Sequence, residues 1–339
     1  MKATSSECTV VMATYNGAQY LAEQLVSLDQ QTVLPARLIV SDDGSSDDTK
    51  EILACYAKKA AFDVMIVDGP QQGYAENFWS AARLADTRYV AWADQDDVWH
   101  PQKILKCVQA LKGYEADFVS HSTTVVDSQL RPLGRFLPDY QSTRVLRAAE
   151  GDPFNIAPGL ACVFKRELLS EVAWADRPLS HMHMRKVGHD QAVELIAYAF
   201  HPRVQLSERL AYYRQHASNT QGDPTVTGLA RRVSIALKVS ADDYARFSSR
   251  AQGYADYISK MSNSDDPAVR SFQAAAERAR YRAEIRNGKT FCARLRSLIE
   301  STSKGTYRST DNGGFGAPAL VNDSFASVVS GMNRADPPR

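Results

Sequence analysis

The sequence has no long run of apolar residues, and this absence excludes one class of protein. None of its hydrophobic stretches approaches the roughly 18 residues that a membrane-spanning helix requires. Residues 1–7 are mostly polar and lack the apolar core of a signal peptide. We therefore expect a cytoplasmic protein without a spanning segment.

Neither an excess of one charge nor a cysteine pattern is present. The 40 Lys and Arg residues nearly balance the 39 Asp and Glu residues, so no overall charge draws the chain to nucleic acid. The five cysteines are scattered, odd in number and without a CxxC pair, which gives no support to a disulfide framework or a thiolate zinc site. We interpret them as reduced thiols that pack as small hydrophobic groups.

What the first third of the sequence does contain is a regular alternation of apolar and amphipathic segments. Short apolar runs predict buried strands at 8–14, 38–41, 64–68, 89–93 and 118–120. The amphipathic segments between them predict helices at 18–30, 47–58, 76–84 and 101–111. Strands separated by single helices form a mostly parallel sheet covered by helices. The sequence therefore predicts a Rossmann-like α/β fold whose ligand site lies at the carboxyl ends of the strands.

The rest of the chain changes character twice. Residues 127–180 are irregular and rich in proline, after which 191–199 predicts a helix and 211–214 a last short strand. Beyond residue 223 the sequence is rich in helix-forming residues, and from about residue 309 it holds mainly Gly, Ser, Asn and Pro. We predict an α/β domain over 1–223, a helical extension over 224–308 and a disordered tail over 309–339.

Carboxylates are concentrated directly after two of the predicted strands. Asp42 and Asp43 follow the second strand, and the run Asp94-Gln95-Asp96-Asp97 follows the fourth. Both clusters belong at one edge of the sheet, where their repulsion favours a bound cation or a network of donors. Oxygen ligands of this kind suit Mg²⁺ or Mn²⁺. Each cluster alone also has a simpler interpretation, as a solvated loop or helix cap, or as an Asx-turn.

Six short motifs occur in order along the α/β part of the chain. They are 9–16 (TVVMATYN), 41–46 (SDDGSS), 73–77 (GYAEN), 93–97 (ADQDD), 189–191 (HDQ) and 213–216 (YRQH). Together they resemble family-2 glycosyltransferases, particularly the rhamnosyltransferase-like branch that builds bacterial surface polysaccharides such as O-antigen. The resemblance implies a GT-A fold and an inverting hexosyltransferase. Such an enzyme moves a sugar from a nucleoside-diphosphate donor to a glycan or lipid-linked acceptor.

The resemblance also implies roles for single residues. Asp190 matches the general base, although His189 precedes it where the family has an acid. A divalent cation, Mg²⁺ or Mn²⁺, is expected on Asp96 and His216. The nucleotide and donor sugar are expected near Thr14, Tyr15, Asn16, Asp42, Asp43, Gly44, Gly73, Asn77 and Asp94. The acceptor side is expected to include Trp99, Gly159 and His189.

Some of these residues have plainer alternatives. Asp190 could cap the helix that follows it, His216 could be a hydrogen-bonded surface histidine, and Trp99 could belong to the core. Gly159 could mark only a turn. On the resemblance alone, Arg214 and Gln215 are expected to approach the diphosphate.

The residue types suit sugar transfer. A divalent cation on Asp96 would neutralise the charge that develops on a leaving diphosphate. Asp190 would accept the proton of an acceptor hydroxyl that attacks from the opposite face, so that the anomeric configuration inverts. The resemblance makes Asp42 the reader of a pyrimidine base, which favours a dTDP- or UDP-sugar and, within that class, dTDP-L-rhamnose.

Two other functions use similar residues. A metal-dependent nucleotidyl- or phosphotransferase would share the carboxylates, but it commonly places a basic phosphate clamp early in the chain, and residues 13–19 hold no Lys or Arg. A non-catalytic module that binds sugar nucleotides would not need a base at Asp190. Both are weaker interpretations than a glycosyltransferase.

Basic residues accumulate late in the chain. Residues 270–308 contain ten Lys and Arg against three Asp and Glu, and 229–239 predicts a further basic helix. Anionic lipid attracts such a surface by about 1 kcal/mol per basic side chain. Two interpretations stay open, namely peripheral contact with the inner face of the plasma membrane and a solvated cationic face.

Overall fold

The structure is a computed structural model that describes residues 7–181, 184–216, 240–287, 295–296, 298–300 and 302. The chain divides into two compact units. Unit 1 comprises residues 1–148, 156–175 and 187–223, and unit 2 comprises residues 149–155, 176–186 and 224–339. The predicted basic helix at 229–239 and the predicted tail at 309–339 lie outside the described residues, and the three-part division of the chain stays a prediction.

In the described part of unit 1, ten strands form a mixed sheet. They are β1 (Cys8–Thr14), β2 (Arg37–Asp42), β3 (Asp63–Asp68), β4 (Tyr89–Asp94), β5 (Val98–Trp99), β6 (Phe118–Val126), β7 (Pro132–Phe136), β8 (Arg144–Leu146), β9 (Cys162–Lys165) and β10 (Arg203–Arg214). The strand order is β3-β2-β1-β4-β9-β6-β10-β5, with β7 on β6 and β8 on β10. The first four strands in this order run parallel, as do β6 and β10, and the other pairs are antiparallel.

Among the residues of unit 1 that the structure describes, six α-helices accompany the sheet. They are α1 (Ala18–Asp29), α2 (Thr49–Ala57), α3 (Tyr74–Ala82), α4 (Lys103–Gly113), α5 (Leu168–Glu171) and α6 (His189–Phe200). Helix α1 illustrates why they form, because Leu21, Leu25 and Leu28 recur at helical spacing and all three are buried in the same core as the strands. The predicted α/β class is confirmed, with a sheet that is mixed.

The sequence prediction missed strand β9. The sequence predicts irregular structure over residues 127–180, yet β7, β8 and β9 all lie there, and β9 lies between β4 and β6 and pairs antiparallel with both. Its short apolar core, Val163 and Phe164, is completely buried. Four residues are too few to give a period, and both partner strands come from distant parts of the chain. The prediction also makes β6 too short, because the apolar signal stops at residue 120, where a run of buried polar residues, 120–123, begins.

Unit 2 contains the helices α7 (Ala241–Ser259) and α8 (Pro267–Asn287). A capping box starts α7, in which the Ser240 hydroxyl accepts the Asp243 N–H and the Asp243 carboxylate accepts the Ser240 N–H. An aromatic cluster packs the unit, with ring centroids 4.8 Å apart between Phe154 and Phe247 and 5.3 Å apart between Tyr254 and Phe272. No helix among the described residues is long and apolar enough to cross a membrane.

A buried carboxyl group, that of Glu194, links α6 to the loop that precedes β9. Glu194 is 4% exposed and accepts the Ala157 N–H at 2.9 Å. Burial raises the pKa of Glu194 to about 8, against the opposing effects of the Arg203 charge and the Ala157 hydrogen bond. The folded state therefore holds a proton on Glu194 that the unfolded chain releases at lower pH.

Because of this proton, the wild-type protein should lose stability relative to Glu194→Gln as the pH rises from about 5 to about 9. The unfolded chain loses its proton early in this interval, so only the folded wild type still carries one. Thermal unfolding of both proteins across the interval measures the difference. The exposed Glu51→Gln serves as the control and should follow the wild type. Parallel profiles for wild type and Glu194→Gln would contradict the assignment.

Candidate functional site

A cleft of about 780 Å³ opens at the carboxyl ends of β1, β2 and β4. It is formed by the loops that follow these strands and by the start of α3. Ten of the predicted site residues line it, namely Thr14, Tyr15, Asn16, Asp43, Gly44, Gly73, Asn77, Asp94, Asp96 and His216. Gln19, Tyr20, Gln71, Tyr74, Phe78 and Gln95 also line it, although the sequence prediction did not include them.

Asp42 differs from the expectation that it contacts a nucleobase. Its carboxylate is 2% exposed and accepts hydrogen bonds from the Thr14 hydroxyl at 2.8 Å, the Ser45 N–H at 2.8 Å and the Ser45 hydroxyl at 2.6 Å. Burial would raise the pKa of Asp42, but the hydrogen bonds from Ser45 and Thr14 outweigh it and hold the pKa below its usual value. Asp42 thus organises the loop after β2 and lies outside the cleft.

Asp43 lines the cleft and holds a second loop in place. Its two carboxylate oxygens accept the N–H groups of Gln71 at 2.6 Å and Gly73 at 3.1 Å. Gly73 has φ 89°, a left-handed conformation that favours glycine, and α3 starts directly after it. On α3, the Asn77 amide donates to the Ser41 carbonyl at 2.8 Å, while its Oδ1 has no hydrogen-bond partner among the described residues.

The acidic loop after β4 concentrates negative charge. Burial and the charges of Asp96 and Asp190 raise the pKa of Asp94 to about 7. Asp97 is completely buried, and burial together with the charges of Asp96 and Asp94 raises its pKa, although it accepts the Arg214 N–H at 2.9 Å. The carboxylate of Asp96 lies 2.7 Å from Nε2 of His216.

The Asp96 carboxylate and the His216 imidazole are ligand types that fit a divalent cation, provided that a substrate completes the coordination. Among the described residues, no group of three or more His, Cys, Asp or Glu side chains could hold a metal ion. Asp96 and His216 nevertheless meet in the cleft, and the crowding of carboxylates that raises the pKa of Asp94 is the situation that a cation relieves. Mg²⁺ is commonly held by one or two protein ligands together with substrate phosphates.

Arg214 is buried, which corrects the expectation that it approaches a diphosphate. Its guanidinium is 1% exposed and donates to the backbone carbonyls of Asp96 and Ser128, each at 2.6 Å, and to the Glu23 carboxylate. The guanidinium also lies 4.5 Å from the ring centroid of Tyr20, and that ring lies 4.7 Å from the ring of His216. Arg214 therefore fixes the acidic loop from beneath.

Asp190 lies in the first turn of α6, close to two glycines. Its carboxylate accepts the Gly159 N–H at 3.2 Å and the Gln191 N–H at 2.8 Å. A Cβ atom at Gly188 would lie 2.8 Å from Oδ1 of Asp190, and one at Gly159 would lie 3.3 Å from both Cβ of Asp190 and Nε2 of His189. The two glycines leave room for the carboxylate, although neither Asp190 nor Gly159 is among the residues that line the cleft.

His189 and Trp99 are buried, so neither forms part of the cleft surface. The ring of His189 stacks on Phe78 at 3.9 Å and meets Trp92 edge-on at 4.8 Å, and burial lowers the pKa of His189 to about 4. Trp99 is 2% exposed and lies beneath Nζ of Lys103, 3.3 Å from its ring centroid. The core interpretation of Trp99 agrees with this position, while an acceptor contact does not.

A family model described as Glycosyl transferase family 2 matches residues 9–173. Curated relatives include an uncharacterized glycosyltransferase of Nostoc sp., 27% identical over 62% of this chain and 65% of the relative. They also include the dTDP-rhamnosyl transferase RfbG of Shigella flexneri, 27% identical over 47% of this chain and 55% of the relative. The chain thus spans less than two thirds of the length of either relative.

Solved structures share the fold. A crystallised segment of S. aureus TarS superimposes with a TM-score of 0.53 at 16% identity, covering 96% of this chain and 91% of that segment. The same TarS segment has been crystallised with UDP-GlcNAc. At this identity the similarity concerns the fold alone, and it agrees with the GT-A class that the motifs implied.

The shape of the buried Arg214 guanidinium, and not only its charge, should be required for stability. We expect Arg214→Lys to lower the free energy of unfolding by about 2 kcal/mol or more, since the single nitrogen of an ammonium cannot reach the three acceptors that Nε, Nη1 and Nη2 of Arg214 each contact separately. Urea denaturation measures the change. The exposed Arg83→Lys, at the end of α3, is the control and should change it by less than about 0.5 kcal/mol. Equal effects for both variants would refute the role given to Arg214.

Proposed function

Because residues 9–173 belong to glycosyl transferase family 2, we propose that the chain is an inverting hexosyltransferase. It takes a sugar from a nucleoside-diphosphate donor and transfers it to a glycan or lipid-linked acceptor in bacterial surface polysaccharide synthesis. Relatives named for rhamnosyl transfer and for teichuronic acid biosynthesis support this setting.

One observation carries the proposal, namely that distant motifs meet in one cleft. Tyr15 and Asn16 from the loop after β1 share it with Asp94 and Asp96 from the loop after β4, and with His216, about 120 residues further along the chain. Asp190 lies near enough for its charge to raise the pKa of Asp94. These positions support a donor site in the cleft, with the carboxylate of Asp190, which accepts the Gly159 and Gln191 N–H groups, close to it.

The roles follow from these positions. Asp96 and His216 would hold a divalent cation, which supplies positive charge against the leaving diphosphate. Asp190 accepts the proton of the attacking hydroxyl, and the N–H groups of Gly159 and Gln191 orient its carboxylate. His189, whose lowered pKa keeps it uncharged, forms an apolar wall with Phe78 behind the cleft.

We propose a pyrimidine nucleotide as the donor, with dTDP-L-rhamnose preferred. The name of the Shigella relative supports dTDP, and the UDP-GlcNAc complex of TarS makes UDP the next choice. The buried position of Asp42 gives this choice no support, since its carboxylate is already satisfied within the protein. Residues that line the cleft, such as Asp43 and Gln71, are better placed to meet a base.

A cytoplasmic location and peripheral contact with the membrane stay predictions. In α8, Arg282 is buried and stacks on Tyr244 at 4.3 Å, and Arg280 forms ion pairs with Glu277 and Glu284. The described part of this helix therefore offers a weaker cationic face than its sequence suggests. Flotation with anionic and neutral vesicles decides between the two interpretations.

Titration calorimetry tests the donor site first. With Mn²⁺ or Mg²⁺ present, we expect the protein to bind dTDP or UDP more tightly than GDP. Asp96→Asn should weaken that binding at least about tenfold, because half of the protein's cation site is lost. Asp86→Asn, an exposed carboxylate outside the cleft, is the control and should bind like the wild type. A folded wild type that binds none of the three nucleotides would overturn the proposed function.

The second test separates chemistry from binding. Asp190→Asn should reduce turnover about a hundredfold or more, since it removes the general base, while leaving the nucleotide Kd within about threefold of the wild type. Hydrolysis of a sugar nucleotide that carries the nucleoside diphosphate selected by calorimetry needs no identified acceptor and provides the assay. Near-normal hydrolysis by this variant, with donor binding intact, would exclude Asp190 as the base.

A further inference from the structure

The side chain of Gln95 pairs with the backbone of Tyr15. Its Oε1 accepts the Tyr15 N–H at 3.0 Å, and its Nε2 donates to the Tyr15 carbonyl at 3.1 Å. The backbone pairing of β1 with β4 ends at Ala13 and Asp94, shortly before Tyr15 and Gln95 in the two segments. The amide of Gln95 therefore extends the pairing of the two strands by one step, through a side chain.

The adjacent Gly17 leaves the space that this amide needs. A Cβ atom at Gly17 would lie 2.1 Å from Oε1 and 2.5 Å from Cδ of Gln95, well inside contact distance. Gly17 has φ −99°, a conformation that alanine also adopts, so the backbone itself does not require glycine here. The requirement is one of close approach, and it is set by Gln95.

The pairing joins two parts of the same cleft. Tyr15 and Asn16 line it on one side of Gln95, and Asp94 and Asp96, which flank Gln95 in sequence, also line it. Other hydrogen bonds of the loop after β1 run to the loop after β2, from Asn16 N–H to the Ser45 hydroxyl at 2.9 Å and from Gly17 N–H to the Thr49 hydroxyl at 2.8 Å. Gln95 ties that loop to the acidic loop.

We propose that Gln95 is a positioning residue for the donor, and that Gly17 is required because of it. The pairing sets the spacing between the nucleoside side of the cleft and the carboxylates that face the diphosphate. A donor that spans both sides binds tightly only when this spacing is held. This inference rests on the proposed function, because its effect is measured through donor binding.

A double-mutant cycle tests the proposal, using Gln95→Ala, Gly17→Ala and the double variant. We expect Gln95→Ala to raise the Kd for the nucleoside diphosphate, and the donor KM, about tenfold, with kcat changed less than about threefold. Gly17→Ala should have a similar effect, because its methyl group displaces the amide. The double variant should be no worse than either single variant. Gln102→Ala, an exposed glutamine outside the cleft, is the control.

Thermal unfolding of the four proteins of the cycle, namely the wild type, Gln95→Ala, Gly17→Ala and the double variant, gives a readout that does not depend on a nucleotide. The loss in Tm caused by Gly17→Ala should be smaller in the Gln95→Ala background than in the wild type. If the Gly17→Ala protein fails to fold and the double variant folds, the result supports the proposal. If neither Gly17→Ala nor the double variant folds, the result overturns it.

Different results would overturn the role of Gln95 and the proposed function. Additive effects on Kd and Tm, in a wild type that binds nucleotide, would overturn the role of Gln95 and leave the proposed function intact. A wild type that binds no nucleotide would instead overturn the proposed function, and with it the role of Gln95 in donor binding.

Discussion

The central position of β1 between β2 and β4 is the constraint on which the site depends. A parallel arrangement brings the carboxyl ends of these three strands to one edge, so each loop has the next as its neighbour. The loop after β1 ends at the first turn of α1, where backbone N–H groups have no partner within the helix. Neighbouring side chains supply the partners, from Gln95 for Tyr15, Ser45 for Asn16, Thr49 for Gly17 and Asp47 for Ala18. The polar residues after each strand are thus needed to build the loops before any ligand arrives.

Much of this half of unit 1 could be predicted from the sequence. Strand β1 has the predicted bounds, and α1 ends one residue early, because alternating apolar runs and amphipathic helices are strong local signals. The cleft could be located for the same reason, since residues that follow parallel strands must share an edge. What a local pattern cannot decide is which of two adjacent side chains turns inward. Asp42 and Asp43 have the same chemistry and neighbouring positions, yet hydrogen bonds from Thr14 and Ser45 bury the first and leave the second at the cleft.

The remaining differences come from contacts between distant segments. Strand β9 is stable only between β4 and β6, so its four residues carry no signal of their own. The packing of His189 against Phe78 and Trp92 brings together three segments of the chain, and no spacing in the sequence indicates it. The buried position of Arg214 likewise depends on carbonyl groups of two separate loops. In each case the surroundings of the residue come from segments that are distant in sequence, so its neighbours along the chain could not predict them.

The contacts of Arg214 and His216 with Asp96 join positions separated by about 120 residues. A ribosome releases the chain from its N-terminus at roughly 5–20 residues per second, so the strands that carry the acidic loop emerge several seconds before β10 does. During that interval the carboxylates of the loop have neither the guanidinium beneath them nor the imidazole beside them. The part of the cleft around Asp96 is therefore assembled last, and a nascent chain cannot complete it until nearly all of unit 1 has been synthesised.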